Sequence, residues 1–524
     1  MLDQRVIDRD EAIILTNEQI AAHAGGILAA LAPFEATSAI KTWHGIIRDI
    51  EEFINVLMTG IDDDRLLATL AALPLGEVLV ANPQAAIEAR NMLTPLFGHD
   101  LASRFMITMF RITRADVGLR ASGRILAADF ALNAVGEAVA YFQSRRRHYV
   151  SLLYLMADAC KGTKKLEPEH AFDVLLPIVE YCCISFTGWN WKGVLAEIFR
   201  DFTLTSDGVG SYASHEYDPL ESAYLEPETV GLLDMYTQRR DQVGLPYRER
   251  QDATKIFSAP ELRNGVRLIQ AAYACFGLND QEFSILARLI SAFSRYCEQD
   301  YFIKIETTRF QAMLGAQNVF DPVELEQMLV NRANDFAVAS NSFEPFIEAG
   351  GYVVSNVNLL TRFLNAFKNI HLGSRKRFQI HAGFIFEDKV AADLVSYGFT
   401  VTDVTRINRQ EFDVVTMLGD VIHNFQCKNN WIDLSKLESD RRLLARYHRR
   451  LDRYYRTALC KEEGREHLLL ERLGPSRIEH HVISRFPVIT ENPRVINYNR
   501  LRERAAAIVA SAVQADAFAA NKPF

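Results

Sequence analysis

Residues 383–428 constrain the fold more than any other stretch of this chain. An apolar-periodic segment over 383–395 predicts a helix, and Gly398 predicts a turn after it. Three short runs rich in β-branched residues follow, at 399–407, 412–418 and 421–427. Gly419-Asp420 separates the last two and suits a two-residue hairpin. Polar residues interrupt these apolar runs at two places: Asp413 near the start of the second, and Gln426-Cys427-Lys428 closing the third. Folding the hairpin about 419–420 sets Asp413 opposite Gln426, and strand alternation sets Gln426 and Lys428 on one face. A carboxylate, an amide and a lysine therefore converge at one end of a small sheet, within reach of Glu387 on the preceding helix.

Those residue types suit a hard divalent cation, Mg2+ or Mn2+, which takes oxygen ligands and needs only one or two protein carboxylates. Asp413 offers one oxygen, the Gln426 side-chain carbonyl another and the Cys427 backbone carbonyl a third. Lys428 would stand beside a metal-bound water and stabilise charge developing on a phosphodiester. A helix, three strands, Asp413 and then Gln426-x-Lys428 resemble the PD-(D/E)xK nuclease superfamily. The Gly383-x-x-Phe386-Glu387 opening, with glutamine in place of the commoner glutamate, is most similar to its Mrr-type branch.

The resemblance covers residues 378–524 and implies an α/β restriction-endonuclease-like domain with a mixed central sheet. It also implies a Mg2+-dependent endonuclease acting on double-stranded DNA in bacterial restriction or defence. Asp413 would then be the main metal ligand, Gln426 and the Cys427 carbonyl assisting ligands, Lys428 the water-activating group and Glu387 a further metal or water ligand. Gln426 departs from the usual pattern, being neutral and a weaker cation ligand. It feeds a rival reading, a catalytically inactive nuclease fold that binds nucleic acid or protein as a scaffold.

After the site, residues 434–459 form a helical pattern loaded with Arg441, Arg442, Arg446, Arg449, Arg450, Arg453 and Arg456, interleaved with Tyr447, Tyr454 and Tyr455. Guanidinium groups bind phosphates bidentately and tyrosines stack on bases or sugars. Arg442, Arg446, Arg449, Arg450, Arg453 and Tyr454 are the expected nucleic-acid contacts. The chain as a whole carries a net charge of -8, so such a basic surface must be local. Strands at 479–486 and 494–498 and a helix from Arg500 complete the expected domain.

The remainder predicts a multidomain protein with a large, mainly α-helical N-terminal region: helices over 1–205, a loop over 206–228, and more helices over 229–343. A hairpin about Gly350-Gly351, a helix and the basic linker Gly373-Ser374-Arg375-Lys376-Arg377 then fill 344–377. Thr16-Asn17-Glu18 reads as a helix start, Asp62-Asp63-Asp64 as a helix N-terminus, and Arg145-Arg146-Arg147-His148 as a helix end or solvated face. The apolar run 171–185 looks too short to span a bilayer. Seven cysteines without a C-x-x-C spacing suggest reduced thiols and a cytoplasmic setting. The helical region would sense a trigger or bind a protein partner. Cutting both strands of a duplex hints at a homodimer.

Overall fold

The computed structural model describes residues 5–58, 61–123, 132–206, 210–215, 256–275, 281–317, 320–430, 440–474 and 476–520. The chain divides into two compact units: Asp10–Gly193 with Leu245–Ala366, and Met1–Arg9 with Val194–Gly244 and Phe367–Phe524.

The first unit is mainly helical and is organised on helix Ala36–Met58. Its Ile40, Trp43, Ile46, Ile47, Ile50, Phe53 and Ile54 are all buried, the stripe that helical spacing dictates. Helices Val135–Ser144 and Arg146–Ala159 pack on it, and the Trp43 indole N–H donates to the Tyr149 carbonyl at 2.8 Å. Asp63 caps helix Asp64–Ala71, accepting from the N–H groups of Arg65 and Leu66. Residues 84–121 are two helices broken at Gly98 (φ 74°, ψ 171°). The expected hairpin forms between Ile347–Ala349 and Tyr352–Asn356, both glycines of its turn having positive φ (57° and 81°).

Four expectations for this unit need correction. The first helix begins at Arg9, and Thr16 lies buried inside it, its hydroxyl bonded to the Ile13 carbonyl at 2.9 Å. A threonine that reads as a cap is here satisfied by its own helix. The run Arg145-Arg146-Arg147-His148 is a junction and no solvated face: Arg145 closes helix Val135–Ser144 and Arg146 opens the next. Arg146 grips Glu51 through bonds of 2.7 and 2.8 Å, and Arg145 faces Glu180 at 3.6 Å. Buried carboxylates demand such partners, and nothing local in the sequence pairs 51 with 146. The hairpin is part of a four-stranded antiparallel sheet with Cys297–Glu298 and Phe302–Glu306, so strand structure begins well before residue 344. Finally, Pro168–Ile198 is continuous over 31 residues and holds an 18-residue window with a mean hydropathy of 1.4, long and apolar enough to cross a membrane by length and composition. Its Phe172, Leu175, Leu176, Val179 and Cys183 are buried in the core of the helical unit.

The second unit holds the mixed sheet. Helix α1 (Lys376–Ser396) ends before Gly398, whose φ of 98° makes the turn. Strands β1 (Thr400–Val401), β2 (Val414–Leu418), β3 (Val421–Lys428), β4 (Arg477–Ser484) and β5 (Val495–Asn497) lie in the order β5-β4-β3-β2-β1. β2 and β3 are an antiparallel hairpin with Leu418 opposite Val421, and Gly419 (φ 60°) occupies the turn position that type II′ geometry reserves for glycine. β3, β4 and β5 are parallel neighbours. Helices α2 (Arg441–Glu463) and α3 (Glu466–Leu473) lie in the β3–β4 connection, and α4 (Leu501–Ala520) follows β5.

Both faces of this sheet are covered. Phe386, Val390 and Leu394 of α1 pack with Val414, Phe425 and Ile483 on one side. Leu451, Tyr455 and Leu459 of α2 cover Val482 and Val495, while Leu468 and Leu469 of α3 cover Val415 and Ile422. β3 is accordingly buried from Ile422 to Cys427, as a central strand should be. The expected strand over 399–407 is not one strand. β1 spans two residues, and Arg406–Ile407 pairs with Gln410–Glu411 in a separate hairpin turning on Asn408 and Arg409, at φ 47° and 67°. A turn of two non-glycine residues at positive φ leaves little trace in a sequence.

The same unit contains a three-stranded antiparallel sheet of Arg5–Ile7, Leu204–Ser206 and Ser211–Ala213, where 211–213 were expected to be loop. The loop and helix expected over 216–240 lie outside the described residues.

Candidate active site

The hairpin register runs from Val414 opposite Phe425, so Asp413 stands one step further, across from Gln426. Asp413 Oδ2 accepts the Cys427 N–H at 2.8 Å, which ties the carboxylate to the strand that carries Gln426 and Lys428. Lys428 Nζ donates to Gln426 Oε1 at 2.6 Å, the same-face contact that alternation requires. Gln426 is 8% exposed and Lys428 is half-buried at the strand end. Cys427 points the other way, into the apolar layer under α1, and burial pushes its thiol well up.

Glu387 comes from α1, one residue past the buried Phe386 that fastens the helix to the sheet. Burial, and then the nearby Asp413 and Asp388 carboxylates, push its carboxyl up to about 7, with Lys428 pulling the other way. Burial likewise raises Asp413, opposed by Lys428 and by the Cys427 N–H. Two carboxylates near one another with elevated pKa values, beside one lysine, form a site short of positive charge. The donor atoms are carboxylate and amide oxygens, which fit Mg2+ or Mn2+.

Other polar residues crowd the same strand end without having been singled out. Lys428 and Ser484 are register partners, and the Arg485 N–H donates to the Lys428 carbonyl at 3.0 Å. The Arg485 side chain is 1% exposed and donates to Asn429 Oδ1 at 3.0 Å. Tyr455 hydrogen-bonds Ser484 at 2.8 Å, and Asn430 donates to the Tyr455 hydroxyl at 3.2 Å. An arginine directly after an apolar parallel strand was the one visible signal for this group.

The arginines of α2 divide by face. Arg446, Arg449, Arg453 and Arg456 line an open groove of about 670 Å3 together with Arg200, Phe199, Asp452, Thr490 and Glu491. Arg456 pairs with Asp452 at 2.8 Å, and Thr490 also bonds that carboxylate. Arg442 faces Glu197 at 3.6 Å, and Arg450 and Tyr454 are exposed on the same helix outside the groove. Arg200 was invisible as a groove residue because it reaches α2 only through the tertiary fold.

The chain matches no protein-family model, no curated protein and no solved structure.

Proposed function

We propose that the unit built on β1–β5 is a restriction-endonuclease-like domain acting as a metal-dependent nuclease, with double-stranded DNA as its substrate and bacterial restriction or defence as its setting. The observation that carries this reading is the meeting of Glu387, Asp413, Gln426 and Lys428 at one end of β3, with carboxylates held at raised pKa beside a lysine. Asp413, Glu387, the Gln426 carbonyl and the Cys427 backbone carbonyl would hold Mg2+ or Mn2+. A bound ion would supply an activated water and neutralise charge on the scissile phosphate. Asp413 is kept in place by the Cys427 N–H, so its position does not depend on the ion. With substrate bound, the Lys428 ammonium would bond the phosphate oxygens in place of Gln426, which would leave Gln426 Oε1 able to serve as a ligand. The arginine groove along α2 supports binding of a polyanionic backbone. The helical unit is the candidate sensor or partner-binding module.

A second reading, a nuclease fold that binds without cutting, is favoured by one contact. Gln426 Oε1 is bonded to Lys428 at 2.6 Å, and a neutral amide competes poorly for a cation. The two readings separate in a cleavage assay on supercoiled plasmid with Mg2+, Mn2+ or chelator. We expect metal-dependent nicking or linearisation that falls at least about a hundredfold in Asp413→Ala and Lys428→Ala, about the effect of removing one electrostatic stabiliser. Equal cutting by wild type and both variants would remove the assignment. No cutting by wild type, with DNA binding retained, would favour the scaffold reading.

A further inference from the structure

We propose that His423, Glu479 and His481 form a second metal site, for a late first-row transition cation of the Zn2+ kind, bridging the parallel strands β3 and β4. In the β3–β4 register His423 pairs with Glu479 and Phe425 with His481, so all three side chains stand on one face of the sheet. It is the face of Phe425 and Ile483, whereas Gln426 and Lys428 alternate to the other. His423 Nδ1 lies 3.4 Å from His481 Nε2 and 3.6 Å from Glu479 Oε2, and His481 Nε2 lies 3.8 Å from Glu479 Oε2.

That near-equilateral triangle of donor atoms has the dimensions of a metal site. Tetrahedral Zn2+ with bonds of about 2.0–2.1 Å sets its ligand atoms about 3.3–3.4 Å apart. Octahedral Mg2+ draws its ligands to about 3.0 Å and prefers oxygen, so this imidazole-rich set selects a different cation from the carboxylate cluster. As hydrogen bonds the same separations are long for the ring–ring pair at 3.4 Å, which needs a proton on one nitrogen, and too long for the two contacts to Glu479. Both imidazoles are more than nine-tenths buried, and a cation on the His481 Nε2 would fix the ring proton on Nδ1, which has no hydrogen-bond partner among the described residues. Arg477 binds the other Glu479 oxygen at 2.5 Å and turns Oε2 toward the histidines. The nearby cations are engaged elsewhere: Arg494 with Glu463, and Arg504 with the Pro493 carbonyl at 2.8 Å. The Glu479 side chain is 30% exposed, which leaves an outer approach and a fourth position for water.

The site does not rest on the nuclease reading. The test uses the full chain, stripped with chelator, titrated with Zn2+ in excess Mg2+ and followed by calorimetry and elemental analysis, with Co2+ as a spectroscopic probe. Wild type and Asp413→Ala should each retain one equivalent of Zn2+ and show the visible bands of tetrahedral Co2+. His423→Gln, His481→Gln and Glu479→Gln should each bind at least about tenfold more weakly. The partly exposed Glu479→Gln decides the matter if either histidine variant fails to fold, as judged by circular dichroism. Unchanged binding in Glu479→Gln, no retained Zn2+ in wild type, or loss of binding in Asp413→Ala would each overturn the proposal.

Discussion

At the scale of the residue, the ionisation of Glu387 would decide when the proposed carboxylate site takes a cation. Its carboxyl sits at about 7 because burial and the neighbouring Asp413 penalise the charged form. A raised carboxyl contributes stability below its unfolded pKa and loses it as pH rises through the folded one. Metal-free protein should therefore lose stability between about pH 4.5 and 7, and Glu387→Gln should remove that part of the loss. Cation binding runs the other way, since the ligand must first shed its proton. Mg2+ affinity measured by calorimetry should rise up to about tenfold per pH unit below pH 7 and level off above it, with Glu387→Gln flattening the profile. A profile unchanged by that substitution would show that Glu387 is not a ligand.

At the scale of the element, what holds α2 to the sheet is a buried ion pair as well as an apolar seam. Glu462 is fully buried, takes two bonds from Arg465 at 2.5 and 2.8 Å, and accepts from Asn424 of β3 at 2.9 Å. The Arg465 guanidinium in turn lies 4.4 Å over the Phe412 ring, just before Asp413. Glu462→Ala would strand a buried cation and should cost about 3–5 kcal/mol in denaturant unfolding. A loss below about 1 kcal/mol would mean that Arg465 finds water and that the pair does not fasten the helix.

At the scale of the whole molecule, charge is distributed unevenly. The chain is net -8, yet Arg200, Arg446, Arg449, Arg453 and Arg456 gather on one groove. If phosphates occupy that groove, DNA affinity must fall steeply with salt through counterion release. Replacing Arg446, Arg449 and Arg453 together by alanine should lower the slope of log affinity against log salt by about 2–3. An unchanged slope would move the nucleic-acid contact elsewhere on the protein.

Periodicity and turn chemistry were enough to read a helix over 383–395, the Gly419 hairpin and the pairing of Asp413 with Gln426, because these are local and each is dictated by side-chain alternation or by a glycine; the helix in fact begins at Lys376, inside the expected basic linker. The helix start at Asp62-Asp63-Asp64 was readable for the same reason. Only the tertiary structure decided that Arg146 belongs to Glu51, that Cys297–Glu298 and Phe302–Glu306 extend the Gly350-Gly351 hairpin, and that His423 meets Glu479 and His481. Parallel pairing of β3 with β4 joins residues separated by two helices. No local pattern in a chain encodes which buried charge, or which imidazole, will lie across such a connection; packing and the demand to satisfy buried polar groups settle it.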